Sequence, residues 1–136
     1  MNVELKTPVD ILQELIVMHT TRVEFSNKIL AKIIDENLKT TLHKITQQSS
    51  LFIEALMNEL SNFGDAVKAD ANRNNEYNSI YTNLLVDFDA ADITKLQYSF
   101  DKMEEVLKNN YVDIIDANKE LSASMGQILN AQLKSF

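Results

Sequence analysis

Residues 38–64 read LKTTLHKITQQSSLFIEALMNELSNFG, and this stretch decides the fold class of the chain. Apolar or small side chains recur in it every third or fourth residue, at Leu38, Leu42, Ile45, Ser49, Phe52, Leu56, Leu60 and Phe63. This spacing places them on one face of an α-helix of about seven turns. Gly64 predicts where the helix ends, because glycine readily adopts the left-handed conformation found just past helix C-termini.

The residues before this stretch predict another long helix. Thr7-Pro8-Val9-Asp10 places a capping residue, a first-turn proline and an acidic residue where they favour the free N–H groups of a helix start. The stripe that follows comprises Leu12, Leu15, Ile16, His19, Val23, Ser26, Ile29, Leu30 and Ile33, and Ile11, Met18 and Phe25 widen it. Such a broad apolar face indicates either a central position in the fold or a subunit contact.

The connections predict how the helices are arranged. A short turn near Asp35-Glu36-Asn37 makes the first two helices antiparallel neighbours, whereas the polar residues 65–75 (DAVKADANRNN) predict a long crossover. A short amphipathic helix over residues 77–88 follows, and then two further stripes run from Ile93 to Ile114 and from Leu121 to Leu133. We therefore expect residues 1–136 to form a single all-α domain, an antiparallel four-helix bundle of the ferritin-like type whose long crossover carries a short extra helix.

Composition excludes several other classes of protein. Only 2 Gly and 1 Pro occur in 136 residues, which argues against the frequent turns of a β-sandwich or barrel. A net charge of −7 disfavours nucleic-acid binding. The longest apolar run, residues 15–18, falls far short of the roughly 20 residues that span a bilayer. Because the chain has no cysteine and no signal-peptide pattern at its start, we expect a soluble cytoplasmic protein without a membrane partner.

Three short segments carry a resemblance to a known family. They are Thr21-Arg22-Val23-Glu24, Gln47-Gln48-Ser49 followed by Phe52, and Met103-Glu104-Glu105-Val106 before Tyr111. Together with the order of helices, they resemble a family of small bacterial ferritin-like domains of unknown function, over about residues 7–135. Family members carry an Arg-Ile-Glu-Gly-Tyr type segment, a Gln-Gln pair before an aromatic residue, and Gly-Glu-Asp before a tyrosine. Glu24, Gln48 and Glu104 match this pattern, and Phe25, Ser26 and Met103 depart from it.

In the wider ferritin-like group, function resides in a di-metal site. That site takes one Glu from each of two helices and a Glu-x-x-His motif from each of the other two. None of the ten glutamates of this chain has a histidine three residues later. The second-helix positions that would face the metals carry Ile45, Gln48, Ser49 and Phe52, which are poor ligands. A standard di-iron site is therefore not expected.

A degenerate metal site is the remaining catalytic possibility. Glu24, Glu104 and His19 could hold one weakly bound iron or other divalent metal ion. Alternatively, His19 is a core histidine that is hydrogen-bonded to a neighbouring helix. The two glutamates would then be solvated residues that pair with Lys28 and Lys108 at i, i+4 spacing.

Three functions from different classes are compatible with these patterns. The first is a non-catalytic bundle without a cofactor, which acts through an unidentified protein partner or through self-association by its first helix. The second is a metal-binding or oxidative-stress protein that uses Glu24, Glu104 and His19. The third is a phosphotransfer module on His43, which ranks last because residues 42–46 (LHKIT) lack the required downstream lysine and glycine. Enzymatic activity is not predicted, since the chain has neither a Gly-rich loop nor a nucleophile elbow.

Overall fold

The computed structural model of the chain describes residues 7–63, 93–117 and 121–136, which form four α-helices and no strand. Their bounds are α1 Pro8–Leu30, α2 Glu36–Ser61, α3 Ile93–Ala117 and α4 Ala123–Lys134. The all-α class is confirmed. Gly64, the predicted crossover and the predicted short helix over residues 77–88 lie outside the described residues.

Polar side chains cap the starts of three helices. Thr7 accepts a hydrogen bond from the Asp10 N–H at 3.1 Å, as its position in the sequence predicts. Asp35 accepts one from the Leu38 N–H at 2.8 Å, and Ser122 caps α4 in the same way. The first helix ends at Leu30, before the last residue of its predicted stripe. Ile33 nevertheless stays buried in the turn that follows.

The contacts between helices set their directions. The short turn between α1 and α2 makes an antiparallel hairpin, and residues 118–122 connect α3 to α4. The contacts between α1 and α3 join Glu14 to Asn110, Arg22 to Glu104 and Phe25 to Phe100. Because the residue numbers rise along α1 as they fall along α3, these two helices are also antiparallel. The contacts of Phe52 with Gln132 and of Glu59 with Ser124 show the same relation between α2 and α4.

One hydrophobic core joins all four helices, and α1 contributes a large share of its fully buried side chains. The fully or nearly fully buried side chains of α1 include Ile11, Leu12, Leu15, Met18, Phe25 and Ile29. Burial of each contributes about 1.5–3 kcal/mol. The broad apolar face that was predicted for the first helix packs against the other helices of the same core. Met18 and Phe25 are 1% and 0% exposed, so these two side chains are covered within the chain.

No described helix combines the length and the apolar character that a membrane crossing requires.

Candidate functional site

Five buried polar side chains from all four helices meet inside the apolar core. They are His19 and Arg22 of α1, Ser49 of α2, Tyr111 of α3 and Gln132 of α4, and we call them the polar network. His19 and Arg22 are three residues apart, so they lie on the same face of α1. Ser49, Tyr111 and Gln132 each occupy a position on the buried stripe of their own helix. The network is thus built from positions that would ordinarily hold core side chains.

The hydrogen bonds of the polar network run in one direction. Arg22 can only donate, and its Nη1 lies 2.9 Å from the Ser49 Oγ. The Ser49 hydroxyl therefore accepts this bond and donates its own proton to His19 Nδ1, at 2.9 Å. We infer that the ring proton of His19 is on Nε2.

The second half of the network agrees with this tautomer. His19 Nε2 lies 2.7 Å from the Tyr111 hydroxyl, and that hydroxyl lies 2.6 Å from Gln132 Oε1. Because the amide oxygen can only accept, Tyr111 donates to Gln132 and accepts from His19. The amide nitrogen of Gln132 donates in turn to the backbone carbonyl of Phe52, at 3.4 Å. The acceptor at the Gln132 end thus assigns the tautomer, and the donor at the Arg22 end is consistent with it.

Burial keeps the two titratable rings of the network neutral. Desolvation, reinforced by the positive charge of Arg22, lowers the pKa of His19 from 6.5 to about 3. Burial also raises the pKa of the Tyr111 hydroxyl well above its usual range, although Arg22 opposes this shift. At neutral pH the imidazole is uncharged and the phenol keeps its proton. Neither ring is poised to exchange a proton near pH 7.

The charge of Arg22 is balanced by a carboxylate on another helix. Arg22 is only 3% exposed, and its Nη2 donates to Glu104 of α3. Its Nη1 also donates to Gln48 Oε1 at 2.8 Å, while the Gln48 amide nitrogen donates to the Ser135 carbonyl at 2.9 Å. The Glu104 side chain is 26% exposed, so the ion pair lies at the edge of the core.

The ring of Phe136 packs against the polar network. It stacks on the His19 ring with centroids 6.1 Å apart, and the Arg22 guanidinium carbon lies 5.5 Å from its centroid. Phe52 and Tyr111 meet the Phe136 ring in edge-to-face geometry at 5.6 and 5.2 Å. The aromatic contacts surround an imidazole and a guanidinium with apolar surface.

An open cavity of about 330 Å³ lies beside the ion pair. Its lining includes Arg22, Lys44, Gln48, Glu104, Lys108 and Phe136. Three of these side chains are cationic and one is anionic. The cavity is therefore positively charged in a chain whose net charge is −7.

The structure separates the three residues of the predicted metal site. His19 has both ring nitrogens in hydrogen bonds, which confirms the alternative of a core histidine bonded to neighbouring helices. Glu104 is paired with Arg22, and Glu24 is exposed to solvent. Within residues 7–63, 93–117 and 121–136, no group of three or more His, Asp or Glu side chains could hold a metal ion. His43 is exposed, as predicted.

The sequence patterns did not single out Arg22, Tyr111 or Gln132 as members of a site. Their signal is a polar residue at a position where the apolar stripe continues. Arg22 follows His19 by three residues and Gln132 follows Leu129 by three, so each lies on a buried face. A search for polar residues on apolar stripes would have found both.

Comparison with models of protein families, with curated proteins and with solved structures finds no match for this chain.

The Tyr111 hydroxyl is the link between His19 and Gln132, and its removal tests the network. We expect Tyr111→Phe to lower the free energy of unfolding by about 2 kcal/mol, because it leaves a buried N–H and a buried amide oxygen without partners. Urea denaturation followed by circular dichroism measures this loss. Tyr98→Phe is the matched control, since Tyr98 lies on the same helix but is 68% exposed. Equal losses in the two variants would contradict the assigned network.

Proposed function

We propose that the protein is a non-catalytic helical bundle of the ferritin-like type, which acts through protein contacts or self-association. The observation that supports this function is that the side-chain polar groups of His19, Ser49 and Tyr111 are all engaged inside the core. Both nitrogens of His19 and the hydroxyls of Ser49 and Tyr111 are engaged with each other or with Arg22 and Gln132. Such a network stabilises and specifies the packing of four helices.

Helix directions support the ferritin-like part of the proposal. Since α2 and α3 are each antiparallel to α1, they run parallel to each other. Residues 62–92, which connect them, are long enough to return along the bundle. One long crossover between the second and third helices is the feature that ferritin-like bundles have and plain up-down bundles lack.

The electrostatics of His19 support a structural role in place of a catalytic one. An efficient general base has a pKa near the working pH, whereas the pKa of His19 is lowered to about 3. A metal ligand would need a nitrogen lone pair, and Nδ1 already accepts from Ser49 while Nε2 carries the proton. The hydrogen-bond partners of His19 would have to be displaced before its ring could bind a metal ion.

Self-association requires an apolar surface outside the core of α1. We place it on α2, where Leu51 is 59% exposed on the face opposite the buried stripe. A cytoplasmic location stays a prediction, which rests on the cysteine-free composition.

Native mass spectrometry tests the absence of a metal and the association in one measurement. After equilibration with ferrous iron, zinc and manganese, we expect wild-type protein to appear as metal-free dimers or larger species. Leu51→Glu should shift these species toward the monomer, because a buried carboxylate without a partner is costly. Asn109→Glu is the matched control, since it adds the same charge at an exposed position of α3, away from the exposed face of α2. We expect it to associate like wild type.

Two results would count against this proposal. A monomeric wild type at all concentrations would contradict self-association. A stoichiometric metal ion that is lost in Glu104→Ala but kept in Lys102→Ala would support the alternative function in metal binding.

A further inference from the structure

The cavity beside Arg22 differs in charge from the rest of the molecule. Lys44 of α2 and Lys108 of α3 line the same space as Arg22. Within the described part of the chain, Glu104 contributes the one carboxylate side chain of the lining, and it is already paired with Arg22. The two lysines therefore leave the cavity with an excess of positive charge. An anion is the ligand that this charge favours.

Arg22 also has a hydrogen-bonding group that is not satisfied. Its Nε is buried and has no hydrogen-bond partner within the described part of the chain. An unsatisfied buried donor of this kind costs about 1–3 kcal/mol. The Nε itself is shielded from the cavity, but Arg22 lines the cavity wall, and its guanidinium charge attracts a carboxylate there.

The remaining walls of the cavity are largely apolar. Ile45 and the Phe136 ring lie in the lining, together with the methylene stems of the two lysines. A volume of about 330 Å³ is at the lower end of the range for small-molecule sites, which is about 300–1,000 Å³. A ligand that fits has a small apolar body and one charged end.

We propose that this cavity binds a small organic carboxylate. The carboxylate lies between Lys44, Lys108 and the edge of the Arg22 guanidinium, and its apolar body packs against Ile45 and Phe136. The inference does not rest on the protein contacts proposed above, because the cavity is formed within one chain.

Benzoate is a suitable probe, because it joins one carboxylate to one apolar ring. We expect it to shift the amide signals of Gln48 and Phe136 in heteronuclear NMR spectra of the whole chain. The dissociation constant should be on the order of 1 mM, as expected for a ligand of so few atoms. Benzamide has the same shape without the charge, and acetate has the charge without the ring. Each should bind at least about tenfold more weakly.

The two lysines provide the test within the protein. We expect the double variant Lys44→Gln, Lys108→Gln to raise the dissociation constant for benzoate about tenfold, since it removes two cations that contact the ligand. Both lysines are exposed, so the variant should keep the wild-type circular dichroism spectrum. Lys102→Gln is the control, because this exposed lysine of α3 is not in the cavity lining.

Three outcomes would overturn the proposal. They are the absence of saturable shifts up to about 50 mM benzoate, equal binding of benzamide and benzoate, and unchanged benzoate binding in the double variant. None of these outcomes depends on whether the protein associates with itself or with a partner.

Discussion

The variant Glu104→Ala should unfold with a free energy about 3 kcal/mol lower than that of the wild type. It removes the carboxylate that balances Arg22, a residue that is 3% exposed and cannot lose its charge. Removal of one partner from a buried ion pair costs about 3–5 kcal/mol. The lower end applies because Glu104 is 26% exposed, so that water can enter the space left by its side chain.

Glu104→Gln removes the negative charge of this side chain but keeps a hydrogen-bond acceptor for Arg22. The amide oxygen can still accept from Arg22, so we expect a loss of only about 1 kcal/mol. Glu24→Ala is the second control, because Glu24 is an exposed glutamate that was assigned to the same predicted metal site. It should change stability by less than about 0.5 kcal/mol.

Urea denaturation at pH 7 measures all three variants. At about 1 M salt, most of the difference in unfolding free energy between the wild type and Glu104→Ala should remain, since buried ion pairs are screened much less than surface pairs. If Glu104→Ala were as stable as Glu24→Ala, the ion pair would not hold α1 and α3 together.

The helices could be predicted from the sequence because their signals are local. The 3-4 spacing of apolar residues in α2 and the Thr7 cap of α1 depend only on neighbouring residues. The stripe alone does not show where α1 ends, because Ile33 continues the apolar spacing beyond Leu30. Ile33 is buried, but from a turn that the stripe pattern does not distinguish from a helix.

The sequence could not predict which side chains of different helices contact each other. Arg22 and Glu104 are 82 residues apart, and nothing in the spacing along α3 indicates that Glu104 faces Arg22. The sequence suggested a partner for Glu104 at i, i+4 because that contact follows from helix geometry alone. A charged partner on another helix depends on how the helices pack.

The width of an apolar face also leaves its partner undefined. Met18 and Phe25 indicated either a central helix or a subunit contact, and the same hydrophobic pattern serves both. In this chain, the other helices of the same core account for their burial. Whether a wide stripe faces its own chain or another copy becomes clear only when the packing is known.

The second large effect expected is a loss of stability in acid that depends on His19. The unfolded chain binds a proton at this side chain below about pH 6.5, the ordinary histidine pKa, whereas the folded chain does not until about pH 3. Between these values the unfolded state binds more protons, so stability falls as the pH falls. Above pH 6.5 this side chain contributes no pH dependence. Between about pH 3 and pH 6.5, the free energy of unfolding should fall by up to about 1.4 kcal/mol for each pH unit.

His19→Gln isolates this contribution, because glutamine cannot titrate and still has both a donor and an acceptor. We expect the wild type to lose about 3 kcal/mol more than His19→Gln between pH 7 and pH 4. His43→Gln is the control, since His43 is exposed and is the only other histidine. Its pH profile should follow that of the wild type. Subtracting the stability profile of the variant from that of the wild type removes the contribution of the carboxylates, which titrate in both proteins.

The groups around His19 explain why the folded state should resist protonation. Ser49 already accepts a bond from Arg22, and the positive charge of Arg22 lies on the same side of the ring. On the other side, Tyr111 keeps its proton and donates it to Gln132. The ring nitrogens contact no carboxylate of the described residues. If the wild type and His19→Gln lost stability in parallel down to pH 4, then His19 would be accepting a proton in the folded protein. In that case the direction assigned to the hydrogen bonds from Arg22 to Gln132 would be wrong.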